Sequence, residues 1–142
     1  MAGEKILLLE DDPAVVNSFK KYFGYPYNTN GYTPLFASTV QEFWTHDRLN
    51  RPDYMIIDSD IPLVKHGMPI QGAGTRIAKA VNYNGNLVGL HMDYNTPGLK
   101  ECTDNGCIHM PKSNDRKNLD YWVHKNIDLY MNAVGQLKNQ KI

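Results

Sequence analysis

Tyr54-Met55-Ile56-Ile57-Asp58-Ser59-Asp60-Ile61-Pro62 decides how the rest of the chain is read. Four apolar residues run without alternation into a carboxylate, the pattern of a strand buried on both faces of a sheet. Asp58 stands where that strand ends. Pro62 has no backbone N–H to offer and is expected to stop the strand from continuing. In an open α/β sheet, ligands sit just beyond the carboxyl ends of the strands, so an acid at that place is a candidate for chemistry. A lone aspartate there is more simply a turn former. The functional reading depends on which other groups reach the same edge.

The pattern recurs upstream. Lys5-Ile6-Leu7-Leu8-Leu9 runs into Glu10-Asp11-Asp12, and Pro13 follows at the first position of a helix that Asp12 can cap. Val15, Val16, Phe19, Tyr22 and Phe23 recur at helical spacing, which predicts a helix to about Phe23, ended by Gly24. Tyr25 to Tyr32 reads as a loop, its tyrosines a contact surface or simply common surface residues, and Thr33 to Ala37 as a weak second strand. Ser38 or Thr39 caps a helix carrying Val40, Phe43 and Trp44, with Glu42 near the capping-box position. Asn50-Arg51-Pro52 breaks it.

Downstream, Leu63 to Gly74 reads as irregular. Gly72-Ala73-Gly74-Thr75-Arg76 lacks the Gly-Lys-Ser/Thr ending of a phosphate loop and is read as flexible. Thr75 to Val81 reads as a short helix, Asn84-Gly85 as a turn, and Leu87 to Leu90 as a fourth strand that delivers His91, Met92 and Asp93. Thr96-Pro97 opens another short helix, closed by Asn105-Gly106. Cys107 to Met110 is the fifth strand, leading into Pro111-Lys112. A last helix is expected from about residue 115 to 137, with Leu119, Trp122, Val123, Ile127, Tyr130, Val134 and Leu137 as its apolar stripe.

Strand and helix alternate strictly. That predicts an α/β fold: a doubly wound parallel sheet of five strands, order 2-1-3-4-5, in a flavodoxin-like three-layer α/β/α sandwich. A length of 142 residues suits a single domain over 1–142, with its core at about 4–137. Lys+Arg 15 against Asp+Glu 15 leaves no net charge, which argues against binding nucleic acid or a membrane surface through bulk electrostatics. The apolar runs are too short for a membrane span or a signal peptide, so a cytoplasmic setting is expected, with Cys102 and Cys107 as reduced thiols rather than a zinc site.

In the order 2-1-3, the first and third strands are neighbours, and Glu10-Asp11 meets Asp58 at one edge. Clustered carboxylates repel one another unless a cation joins them. An all-oxygen set with room for water suits Mg²⁺. Lys112, ending the fifth strand, can reach the same edge. A carboxylate nucleophile, a divalent cation and a lysine together fit phosphoryl transfer to an aspartate.

Ile6-Leu7-Leu8-Leu9-Glu10-Asp11-Asp12-Pro13, Ile56-Ile57-Asp58-Ser59-Asp60-Ile61-Pro62 and Gly106 through Lys112, in this order, resemble the receiver domain of two-component response regulators over nearly the whole chain. The resemblance implies that Asp58 is the phosphoacceptor and that Lys112 contacts the phosphoryl group. It also implies that Glu10, Asp11, Asp58 and the backbone carbonyl of Asp60 form the Mg²⁺ site, Asp11 directly and Glu10 through water. A histidine kinase or histidine phosphotransfer protein would be the donor and a downstream protein the target. A homodimer through the face of the fourth helix, fifth strand and fifth helix would be one mode of contact. The only reactions implied are self-phosphorylation and autodephosphorylation, with Asp60 and Asp93 placed to alter the second.

The chain also departs from the family. His91 stands where receivers end the fourth strand with Thr or Ser, His109 stands at the place of an aromatic switch, Pro111 precedes rather than follows Lys112, and the loop after the third strand is long. Two rivals follow. One is a pseudo-receiver that binds proteins without using phosphate. The other is a small flavodoxin-like enzyme or cofactor binder, which the acidic edge disfavours because flavin phosphate seeks amides and hydroxyls.

Overall fold

The computed structural model describes residues 4–27 and 31–140; part of the tyrosine-rich loop, residues 28–30, lies outside the described residues. In chain order the elements are β1 (Glu4–Leu9), α1 (Pro13–Phe23), β2 (Tyr32–Ala37), α2 (Val40–Asn50), β3 (Tyr54–Asp58), β4 (Ile61–Pro62), β5 (Pro69–Ile70), α3 (Ala73–Tyr83), β6 (Val88–Met92), α4 (Leu99–Asp104), β7 (Ile108–Pro111) and α5 (Leu119–Gln140). Five strands form one parallel sheet in the order β2-β1-β3-β6-β7. This is the expected 2-1-3-4-5 order, with β6 and β7 as its fourth and fifth strands.

Successive side chains of a strand point to opposite faces, so each central strand feeds two cores. Leu7, Leu9, Met55 and Ile57 pack with Phe43 of α2, Ile77 and Val81 of α3 and Leu99 of α4. Ile6, Leu8 and Ile56 pack with Phe19 and Phe23 of α1 and Ile127, Tyr130 and Val134 of α5. The helix ends follow local chemistry. Asp12 accepts from the Ala14 N–H at 3.0 Å and Thr39 from the Glu42 N–H at 3.0 Å, while Ser38 Oγ donates back to Glu42 at 2.8 Å. Gly24, at φ 66°, closes α1 in the left-handed region. Cys102 and Cys107 are buried free thiols, and burial pushes the Cys107 thiol up to about 12.

Several expected boundaries are corrected. Pro62 does not end extended structure, because Ile61-Pro62 pairs antiparallel with Pro69-Ile70 in a small separate hairpin. Helix α3 begins two residues before the expected Thr75, with Gly72 as its cap at φ 75°. Helix α4 begins after Thr96-Pro97, at another left-handed glycine, Gly98. Asp115 caps a 3₁₀ turn over Arg116–Asn118, and α5 proper starts at Leu119. Trp122 is 40% exposed and belongs to the surface rather than to the core stripe. Pro34 and Pro111 lie in β2 and β7, the two edge strands of the sheet, where a missing donor is tolerated.

One buried hydroxyl ties α5 to the sheet. Tyr130 Oη accepts from the Met55 N–H at 3.2 Å and donates to the Leu87 carbonyl at 2.7 Å. Tyr130→Phe keeps the ring but strands both backbone groups, so a loss of about 1–3 kcal/mol is expected in urea unfolding. An unchanged midpoint would show that the hydroxyl contributes nothing.

Candidate metal centre

The site is assembled by strand register. Leu9 pairs with Ile57, so the next positions, Glu10 and Asp58, stand level; Asp58 in turn pairs with His91 of β6. These three residues form a row across β1, β3 and β6 and share the face that carries α1 and α5. All are buried, with Glu10 at 1%, Asp58 at 4% and His91 at 4% exposure. One carboxylate oxygen each from Glu10, Asp11 and Asp58 lie within 4.8 Å of one another. Lys112 Nζ reaches Asp58 Oδ1 at 2.5 Å, and the Ser59 N–H donates to the same oxygen at 2.9 Å.

Several neighbours hold these groups in place. The Glu10 N–H donates to the Ala37 carbonyl at 3.0 Å, which fixes the end of β1 against β2. Asn126 of α5 donates to the Pro111 carbonyl at 2.7 Å and so anchors the residue before Lys112. Asp12 pairs with Arg116 at 2.9 Å in addition to capping α1. The Asp60 side chain accepts from the Gly72 N–H at 3.0 Å, holding the start of α3 close by. Gly74 approaches closest: its N–H donates to the Ser59 carbonyl at 2.8 Å, and a Cβ built on it would lie 1.6 Å from the Asp58 carbonyl oxygen. The stretch expected to be a flexible loop is therefore the most tightly packed support of the acceptor strand.

The electrostatics follow from crowding. Burial, then the charge of Asp58, pushes the Glu10 carboxyl up to about 10. Burial, then Asp58, also raises Asp11. Burial works to lower the Lys112 ammonium, but Asp58 outweighs it and the net shift is upward. Burial, then the Lys112 charge, pushes the His91 imidazole down to about 4. Glu10 thus carries a proton at neutral pH, and both its carboxyl oxygens lack a hydrogen-bond partner. An all-oxygen cluster with orphaned buried acceptors fits a divalent cation.

The sign of the pH dependence follows. Between the ordinary 4.5 and about 10, the folded chain keeps a Glu10 proton that the unfolded chain has released. That contribution is present at the acid end of the window and is lost as pH rises through it. His91 opposes it only below the ordinary 6.5. The melting temperature of cation-free protein is therefore expected to fall from about pH 7 to about pH 9. Saturating divalent cation, which takes the place of the proton, should flatten or reverse that slope. A cation-free melting temperature that does not vary over this range would contradict it.

His109, at the expected aromatic position, packs as a partly buried histidine. Its Nε2 lies 2.8 Å from the Met92 carbonyl and its ring meets Tyr94 edge-on at 4.8 Å. A cavity of about 310 Å³ adjoins the site, with Glu10, His91, Lys112, Leu119, Trp122 and Asn126 in its wall. Sequence reading did not find the supporting roles of Asn126, Arg116 and Gly74. Only Gly74 left a signal, a glycine where a helix was expected to begin.

No protein-family model and no curated protein sequence matches the chain. Solved structures do match. The phosphorylated cyanobacterial phytochrome response regulator RcpA superposes with a TM-score of 0.67 at 16% identity, over 92% of this chain and 95% of that one. The Mn²⁺-bound response regulator Rcp1 gives 0.66 at 15%, over 86% and 90%. The response regulator domain of Thermotoga maritima CheB gives 0.66 at 13%, over 94% and 97%. The chain therefore has the fold of response-regulator receiver domains.

Proposed function

We propose that the chain is a phosphoacceptor receiver, taking a phosphoryl group on Asp58 from the phosphohistidine of a histidine kinase or phosphotransfer protein. The observation that carries this reading is the Lys112 ammonium set 2.5 Å from an Asp58 oxygen, with Glu10 and Asp11 oxygens within 4.8 Å of the same carboxylate. Nucleophile, fixed positive charge and cation ligands lie together at the carboxyl end of the sheet.

An Asp58 carboxylate oxygen forms the bond to phosphorus, the phosphorus–nitrogen bond of the donor breaks, and the donor imidazole leaves with that electron pair. Lys112 stays charged and balances the phosphoryl oxygens as charge develops on them. Ser59 holds Asp58 through its N–H, and the Gly74 contact fixes the backbone beneath. A bound divalent cation, Mg²⁺ in the simplest case, would supply further positive charge beside those oxygens. Glu10, Asp11, Asp58 and the Asp60 carbonyl would hold it. His91, opposite Asp58, stands where it can donate to a phosphoryl oxygen. Asp60 and Asp93 bear on the lifetime of the adduct. Transmission is through protein contacts, with the surface of α4, β7 and α5 as the face for a target or a second copy.

Incubation with acetyl phosphate and a divalent cation should add the mass of one phosphoryl group, mapped to the peptide carrying Asp58 and absent with EDTA. No adduct with any donor or cation would overturn the reading in favour of a phosphate-independent binding module. Among the described residues no helix is long and apolar enough to cross a membrane.

A further inference from the structure

Two cysteines come together where α4 turns into β7, at the amino end of that strand and so at the opposite end of the sheet from Asp58. Gly106, at φ 95°, carries the turn. Its N–H donates to the Thr103 carbonyl at 3.1 Å, and the Cys107 N–H donates to the Cys102 carbonyl at 3.1 Å. This nested pair of bonds closes a helix and sets the side chain after the glycine against one in the last helical turn. Here those side chains are two thiols, both buried in the same apolar cluster. The 3.1 Å bond joins the backbones of the two cysteines themselves. Standard bond lengths then hold their Cα atoms to about 7 Å at most, and a disulfide spans about 4.4–6.8 Å.

Cys102 also faces an opening. It lies in the wall of a cavity of about 370 Å³ between α3 and α4, with Lys79, Asn82, Tyr83, Glu101 and Asn105; Cys107 is not in that wall. Glu101 holds the Lys79 ammonium there at 2.8 Å. Burial raises both thiols, but Lys79 opposes it at Cys102, whereas Cys107 is pushed up to about 12. A small oxidant therefore meets Cys102 first, with Cys107 behind it.

We propose that Cys102 and Cys107 form a peroxide-oxidisable dithiol, in which hydrogen peroxide entering the cavity between α3 and α4 converts the pair to a reversible disulfide. The Cys102 thiolate attacks one peroxide oxygen, the oxygen–oxygen bond breaks, and the hydroxide that leaves takes up the proton Cys102 has shed. The Cys107 sulfur then attacks the sulfur of the Cys102 sulfenic acid. A sulfur–sulfur bond forms, the sulfur–oxygen bond breaks, and the Cys107 proton leaves with that oxygen as a second water. The two thiols give up two electrons, and one peroxide is reduced to two waters. No step uses Asp58, Lys112 or a cation, so the site stands apart from the acidic centre.

The test treats the folded full chain with hydrogen peroxide in the presence of EDTA. Trypsin cutting after Lys100 and Lys112 releases one peptide, Glu101–Lys112, that carries both cysteines. That peptide should become lighter by two hydrogen atoms, resist iodoacetamide, and regain two alkylatable thiols after dithiothreitol. Oxidation of Met110 in the same peptide adds an oxygen and is told apart by mass. Cys107→Ser should stop at the sulfenic acid, trapped by dimedone on Cys102, and Cys102→Ser should trap at least about tenfold less on Cys107. The parent chain gives the answer even if a variant folds poorly. Thiols that survive in the folded chain and are lost only in urea overturn the proposal. So do cysteines that gain oxygen without the loss of two hydrogens, or a bridge that forms only between two chains; each leaves the pair as packing at a helix end.

Discussion

Asp58→Asn is expected to reduce the phosphoryl adduct to background while leaving the fold in place. The amide has the same shape as the carboxylate but no anionic oxygen to form the bond to phosphorus. Asp58 Oδ1 receives both Lys112 and the Ser59 N–H, and an asparagine oxygen can keep those two contacts. The electrostatic consequence is separate. After burial, the charge of Asp58 is the largest cause that raises Glu10. In Asp58→Asn the Glu10 carboxyl should move back toward the ordinary range, and the fall of melting temperature above pH 7 should weaken. Mass spectrometry checks the first outcome and a pH series of melting curves the second. A residual adduct of parent-like yield would place the acceptor elsewhere. An unaltered slope would show that Asp58 is not what perturbs Glu10.

Gly74→Ala is expected to be more damaging than an alanine at any other described glycine with a close contact. The added Cβ would meet the Asp58 carbonyl oxygen at 1.6 Å and the Ser59 carbonyl oxygen at 3.1 Å. Both are backbone atoms, one in β3 and one directly after it, so neither can swing aside as a side chain would. Helix α3 must move, and with it the Gly74 N–H bond to Ser59. A loss of about 3 kcal/mol or more is expected, or roughly 10 °C in melting temperature for a chain of this size. Phosphoryl yield should drop as well, since the displaced helix no longer braces the backbone of Asp58 and Ser59. Gly135 in α5 supplies the control, because a Cβ there meets nothing within 4 Å. Gly135→Ala should stabilise by about 0.5–1 kcal/mol, the ordinary preference of a helix for alanine. Equal effects at the two positions would refute the close-approach account.

What could be read from the sequence was whatever is encoded locally. The apolar runs of β1 and β3 end in Glu10-Asp11 and Asp58 because a strand buried on both faces admits no polar residue until it leaves the core, so the acids mark the edge. Asp12 and Thr39 announced their helices because a cap is a short-range hydrogen bond. The missed features are long-range. Two-residue strands such as β4 and β5 carry no periodicity, and their pairing is set by the chain that loops between them. The tight contact beneath Gly74 depends on how α3 lands on β3. His91 was seen as a substitution at a strand end, but its position within β6 opposite Asp58, facing Glu10, is a matter of register. Trp122 fell on the apolar stripe of α5 by spacing, yet that stripe is wider than the groove it fills.

The prolines at the two margins of the sheet have a practical consequence. An exposed strand edge is a template on which a second chain can add its own backbone, and that is how soluble domains begin to polymerise into fibres. Here Pro34 removes a donor on one margin and Pro111 on the other, so a growing ladder would be interrupted on either side. A domain guarded in this way is protected at both margins from the strand-by-strand stacking that seeds fibres.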